Sequence, residues 1–349
     1  MFSIGKSIAS NLGHVNPPDV HIKGLDNRVT TDDHDAIVEA KSQIGDTVHT
    51  SQFPHQSIGL SRRVSGFIAL TKPRIIELLL VTTLPTMFVA KQGVPALSLM
   101  LETLLGGALA AGGANAINMV VDRDIDSVMK RTKSRPLVTG VVTATQAMVF
   151  AIVLETVAFV ELYQLVNLLS AILAVSATAF YVFVYTIWLK RTSTQNIVIG
   201  GAAGAVPVLV GWAAVTNSIN IAPIVLFSIV FLWTPPHFWA LAVKYSDDYK
   251  SANVPMLPAV TSFKATARQI MVYTLALWAC SLVFGLAGHM GIVYFVSALL
   301  LGAVFVLYAA GLLKEPSEKR AMATFHYSIT YLTLLFVSMG VDVLVRHGG

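Results

Sequence analysis

Residues 104–126 read "LLGGALAAGGANAINMVVDRDID". The first half is small and apolar, suited to lipid; the second half adds two asparagines and three carboxylates. On a helix at 100° per residue, Asn115, Asn118, Asp122 and Asp126 fall within about 80° of arc, whereas Asp124 lies about 240° round from Asn118. One polar stripe thus ends a membrane-compatible segment, and Asp124 points away from it.

The composition places that segment in a membrane. Hydrophobic residues make up 55% of the 349 and charged residues only 12%, with a mean hydropathy of +0.68. A soluble domain carries about twice that charge. Nine apolar stretches are long enough to cross a bilayer, which takes roughly 20 helical residues: 75–91, 97–121, 146–164, 168–188, 197–215, 220–243, 270–288, 291–313 and 326–345. Lys and Arg divide 18 to 2 between alternate loops, which predicts a cytoplasmic N-terminus and a C-terminus outside. The net charge of +5 is therefore a matter of topology, and nucleic acid is not an expected partner. The single cysteine, Cys280, excludes a disulfide within the chain.

Residues 1–60 differ from the rest, with seven acids, five histidines (His14, His21, His34, His49, His55) and no apolar run. They read as a disordered cytoplasmic tail before a helical domain at 61–349, and the histidines lack ligand spacing. Twelve acids lie beyond the tail, and five of them form two patches, 122–126 and 246–248. Both patches end spans on the same membrane face. In the sixth span His237, Lys244 and Asp248 share a stripe of about 40° if the helix continues that far, and Asp247 falls off it.

Two carboxylates about 4 Å apart repel by roughly 4 kcal/mol at an effective dielectric near 20. A divalent cation removes that penalty. An all-oxygen donor set favours Mg²⁺, which phosphate oxygens commonly complete, so the pattern predicts a phosphorylated substrate. Lys130, Arg131, Arg135, Lys190 and Arg191 lie on the same face. They serve either as phosphate partners or as topology signals.

"NMVVDRDID" (118–126) followed by "KRTKSRPLVTG" (130–140) resembles the first signature of the UbiA-type intramembrane prenyltransferases. "ALTKPRI" (69–75), "YTIWLKRTSTQNIVIGGAAGAVPVLVGW" (185–212), "WTPPHFWALAVKYSDDYKSANVPMLP" (233–258) and "HYSITYLTLLFVSMGVD" (326–342) resemble its haem O synthase branch. The likeness spans residues 62–342. It implies an all-α bundle of nine transmembrane helices around a central cavity, in the plasma or inner membrane. It also implies transfer of the farnesyl group of farnesyl diphosphate to the 2-vinyl group of haem b with addition of water, giving haem O and pyrophosphate. Haem b is then a substrate, Mg²⁺ the metal, the lipid bilayer the setting, and a haem A synthase a partner.

Carried onto this chain, the resemblance implies that Asn118, Asp122, Asp126 and Asp248 hold Mg²⁺. Asn115, Lys130, Arg131, Arg135, Lys190, Arg191, Lys244 and Tyr249 would bind substrate. The wider superfamily has a second D-x3-D, but here Ala252 stands four after Asp248, which weakens the second half of the site. His237 stands either as a haem contact or as a structural residue hydrogen-bonded to a neighbouring helix; His326 and His289 are weaker alternatives. The glycine runs fit close helix packing, and Pro235–Pro236 would kink the sixth span. Glu77, Glu102, Glu155, Glu161 and Asp342 are given no role. Two other functions remain open: prenylation of an aromatic acid or quinone precursor, and ion-coupled transport, which would favour acids at the bilayer midplane.

Overall fold

The computed structural model describes residues 59–347. The expected tail, with its five histidines, lies outside the described residues apart from its last two. The described chain is helical and holds no strand. Helix α1 (Leu60–Leu70) leads into α2 (Pro73–Lys91), α3 (Leu97–Val121) and the short α4 (Arg123–Val128). Then come α5 (Ala144–Val166), α6 (Leu168–Thr192), α7 (Asn196–Thr216) and α8 (Ile221–Lys244). The last five are α9 (Ser246–Ser251), α10 (Leu257–Val260), α11 (Phe263–Ala287), α12 (Ile292–Lys314) and α13 (Glu318–His347).

Eight helices, α3, α5–α8 and α11–α13, are long and apolar enough to cross a membrane. They match eight of the nine expected spans, with ends displaced by a few residues; α13 begins eight residues early because "EKRAMATF" continues the turn. The remaining expected span is α2, a helix of 19 residues. Each of these helices packs on its successor, α13 returns to α2, α7 touches α2 and α8 touches α13, so the nine close into one bundle. Outward faces remain apolar: Val149, Ile152, Leu275, Leu299, Leu300 and Leu307 are exposed, the pattern of a surface made for lipid.

Small residues set how closely the helices approach. A β-carbon on Gly211 of α7 would stand 2.9 Å from the carbonyl oxygen of Thr83 in α2, and one on Gly113 of α3 would stand 2.6 Å from a Glu155 carboxylate oxygen in α5. The glycine runs are thus packing surfaces, as expected. Pro235 and Pro236 lie inside the continuous helix α8.

Asp342 acquires a structural role. From α13 its carboxylate accepts the backbone N–H groups of Gly291 (2.6 Å) and Tyr294 (3.2 Å) at the start of α12, and it pairs with Arg346 at 3.0 Å. A carboxylate there caps orphan N–H groups and meets the positive end of the helix dipole. The α5 start is closed by its own sequence, where Thr143 and Gln146 form a reciprocal capping box.

Candidate active site

Helix α3 ends at Val121, one residue short of the stripe's first carboxylate, and Asp122 caps it. The stripe survives because the backbone bonds run on: Asp122 N–H donates to Asn118 O (2.9 Å) and Asp126 N–H to Asp122 O (2.8 Å). All four stripe residues are buried, Asn115 at 5% exposure, Asn118 at 3%, Asp122 at 0% and Asp126 at 2%. Asp124 is exposed, as its angle requires.

Burying two carboxylates without partners would be prohibitive, and cations from two other segments meet them. Lys190 at the end of α6 donates to Asp122 Oδ2. Arg135 donates to Asp126 Oδ2 at 2.6 Å. Arg191 forks onto Asp124 at 2.7 and 2.8 Å and stands 3.8 Å from Asp122 Oδ1. Residues 180–189 of α6 wind as a π-helix. That wider turn lets Thr186 Oγ1 donate to Tyr181 O five residues back and accept Asn118 Nδ2 at 3.1 Å, while Lys190 reaches Asp122.

A fourth cation was absent from the expected set. Lys72, between α1 and α2, donates from Nζ to Asn118 Oδ1 at 2.7 Å. Burial first, then the neighbouring Arg135 and Lys190, push its pKa down to about 7. Asn118 donates in turn to Asp122 Oδ2 at 2.7 Å. Asn115 holds the turn from α3, its Nδ2 donating to Thr71 O at 3.1 Å. The sequence signal for Lys72 was its place in "ALTKPRI", immediately before the proline that opens α2.

The second patch is built differently. Helix α8 stops at Lys244, and Asp248 belongs to the separate helix α9, so the stripe expected to join His237, Lys244 and Asp248 is broken at Tyr245. Asp248 Oδ2 accepts the backbone N–H of Arg131 at 3.1 Å. Asp247 is exposed beside Lys250. The Arg131 guanidinium lies over the rings of Tyr245 (5.2 Å) and Tyr249 (6.0 Å). Burial raises the pKa of the Tyr249 phenol, so it stays a neutral hydroxyl. Lys244 is exposed over Tyr245, and Lys130 is exposed without an ion pair among the described residues.

His237 is buried at 7% exposure. Its Nδ1 is 2.7 Å from Ser328 Oγ on α13, and its ring stacks on Trp233 with centroids 4.2 Å apart. Trp233 Nε1 donates to Ser328 O at 2.7 Å. This is the geometry of the structural alternative, which leaves Nε2 as the nitrogen open to a further partner. His326 and His289 are exposed.

The first patch fits a hard cation in one respect: Asp122 Oδ1 is buried and accepts no hydrogen bond. A carboxylate oxygen is the donor type that suits Mg²⁺. Among the described residues no three acidic, His or Cys side chains gather at one point, so the two patches do not form a joint metal cluster here.

A membrane bundle that ends in two buried carboxylates ringed by Lys and Arg defines a class, one that handles a polyanion and its counter-cation at the end of an apolar helix bundle. The UbiA prenyltransferase family model matches residues 79–337, and the chain belongs to that family. It is 51% identical over 300 residues to the protoheme IX farnesyltransferase of Clavibacter michiganensis subsp. michiganensis, covering 84% of this chain and 97% of the relative. To that of Streptomyces coelicolor it is 48% identical over 317 residues, covering 89% and 100%. Among solved structures, a digeranylgeranylglyceryl phosphate synthase superposes with a TM-score of 0.68 at 18% identity, covering 81% of this chain and 99% of that one. A UbiA homologue from Archaeoglobus fulgidus bound to DMAPP and Mg²⁺ does so with a TM-score of 0.57 at 14% identity, covering 79% and 99%. These two show a shared fold.

Proposed function

We propose that this chain transfers the farnesyl group of farnesyl diphosphate to the 2-vinyl group of protohaem IX, with addition of water, giving haem O and pyrophosphate. The observation that supports it most is the pair of buried carboxylates, Asp122 and Asp126, set among Lys72, Arg135, Lys190 and Arg191. Relatives at about half identity over most of the chain carry the protoheme IX farnesyltransferase name, which supports haem as the acceptor over an aromatic acid or quinone precursor. Transport is disfavoured because these acids stand at helix ends rather than at mid-helix.

The bond that breaks joins C1 of the farnesyl group to the diphosphate oxygen. The vinyl group supplies the electron pair for the new carbon–carbon bond, and the cation left next to the porphyrin takes water, which loses a proton. Arg135, Lys190 and Lys72 would stabilise the charge that gathers on the leaving pyrophosphate, where electrostatic help is worth most. Mg²⁺, when bound through Asp122 and Asp126, would neutralise the diphosphate and make it a better leaving group. Asn118 and Asn115 orient the carboxylate and the Lys72 turn, and Asp248 with Tyr249 holds the Arg131 loop against the same end of the bundle. His237 would offer only Nε2 to the porphyrin. The Lys and Arg distribution supports a cytoplasmic position for this end; the membrane would be the plasma or inner membrane, and a haem A synthase would take up the product.

The test is direct. Purified full-length protein, haem b, farnesyl diphosphate and Mg²⁺ should yield haem heavier by a farnesyl group and one hydroxyl in mass spectrometry. Unchanged haem, with prenylation of a benzoate or quinone precursor instead, overturns the acceptor.

A further inference from the structure

We propose that Lys72 is a substrate-positioning residue that occupies Asn118 Oδ1 before loading and passes to the diphosphate when the site fills. The inference rests on the prenyl-diphosphate reading above. It begins from the backbone. Lys72 has φ 51° and ψ 65°, the left-handed region, which residues with a β-carbon adopt only where the surroundings over-determine it. Here they do: Lys72 N–H donates to Ala69 O, Asn115 holds the Thr71 carbonyl, and Pro73 starts α2 immediately after. This unfavourable turn aims one ammonium at the stripe.

The site's oxygens show what the ammonium does there. Asn118 spends its amide nitrogen on Asp122 and Thr186, so Oδ1 is its only atom able to ligate a cation, and Lys72 sits on it. Arg135 holds Asp126 Oδ2 and Lys190 holds Asp122 Oδ2 in the same way. One oxygen of the group, Asp122 Oδ1, is without a hydrogen bond. The chain's own cations neutralise the carboxylates a metal would need, and an ammonium on an oxygen competes with a divalent ion for it. A diphosphate gives the ammonium a better partner. Lys72 can leave Asn118 for a phosphate oxygen, so the move that frees the carbonyl also grips the substrate. Metal alone should therefore bind poorly, and metal and diphosphate should favour each other by linkage.

The experiment uses full-length protein in nanodiscs, Mn²⁺ followed by electron paramagnetic resonance, and inorganic pyrophosphate. Lys72→Met should bind Mn²⁺ alone at least about fivefold more tightly than wild type, because a competitor is gone, and bind pyrophosphate at fixed Mn²⁺ roughly tenfold more weakly. Lys72→Gln, which keeps an N–H for Asn118 without the charge, should shift both the same way and serves if the methionine variant does not fold. Lys72→Arg should recover part of the pyrophosphate affinity. Loss of both affinities together, or no change in either, overturns the proposal, since a structural lysine would not move them in opposite directions. Wild-type product analysis separates the two readings. Farnesylated haem with unshifted Mn²⁺ affinity sinks Lys72 alone, whereas opposite shifts without farnesylated haem leave Lys72 standing and sink the acceptor.

Discussion

Asp122 and Asp126 are shielded from solvent, and each grips a cation, whereas Asp247 is 96% exposed and Asp248 accepts a single backbone N–H. Both patches follow long apolar helices that stop just before them, and both continue in a six-residue helix. The difference lies in what the neighbours supply. Around the first patch, α6 and the two turns at residues 72 and 135 bring in ammonium and guanidinium groups, which make burial of charge affordable. Around the second, the only guanidinium contact among the described residues is Arg131, and it faces tyrosine rings. Burial is what turns a carboxylate into a strong electrostatic element, because water no longer screens it.

The sharpest way to break this comparison is to neutralise the buried acids. Asp122→Asn or Asp126→Asn should lower kcat by about 10²–10³, the usual scale for losing one preorganised electrostatic group. It should also cost stability, since removing one member of a buried pair leaves the other charge uncompensated, typically about 3–5 kcal/mol. Lys190 and Arg135 are 13% and 22% exposed and can turn partly outward, so the lower end is expected. Turnover by single-turnover quench and a denaturation midpoint in the same detergent check both. Near-normal turnover in either variant would remove the first patch from the chemistry.

Asp248→Asn should do much less, roughly a tenfold loss or under, with a stability change of about 1 kcal/mol or less, because an amide oxygen can still accept the Arg131 N–H. A loss as large as that of Asp122→Asn would show that the patches act as one site in the working enzyme. That result would restore the joint metal cluster the sequence suggested.

Periodicity made the stripe at Asn115, Asn118, Asp122 and Asp126 legible, because the i to i+4 backbone bonds continue through the helix break at Asp122. The same arithmetic failed at Asp248, since nothing in "AVKYSDDYK" announces that α8 ends at Lys244. Eight spans were readable from hydropathy, which depends on composition alone. Lys72 and Thr186 were not, because their value comes from distant packing: Lys72 meets a residue 46 positions away and Thr186 one 68 away. A π-helical segment has no hydropathy signature that would have placed Thr186. Asp342 was similarly opaque, since the N–H groups it caps belong to another helix.

The smallest effect is expected where charge is paired but wet. Asp124 binds Arg191 through both oxygens, and those hydrogen bonds, against some burial, bring its pKa down to about 2. A lowered carboxylate pKa means the folded state favours the ionised form. The stabilisation is fully present above the unfolded value near 4 and is lost as pH falls toward about 2. With 64% of the Asp124 side chain exposed, solvent screening keeps the pair below about 1 kcal/mol. Asp124→Asn should therefore lower the melting midpoint slightly and by a constant amount from pH 7 down to about 4, and the gap should close below that as wild type protonates. Turnover should change by no more than about threefold, since Arg191 stays tethered through Val121 O at 3.0 Å. A gap that persists at pH 2 would mean the asparagine disturbs α4 itself. A loss of turnover like that of Asp122→Asn would mean that exposed Asp124 belongs with the buried stripe after all, and burial would no longer separate working carboxylates from bystanders.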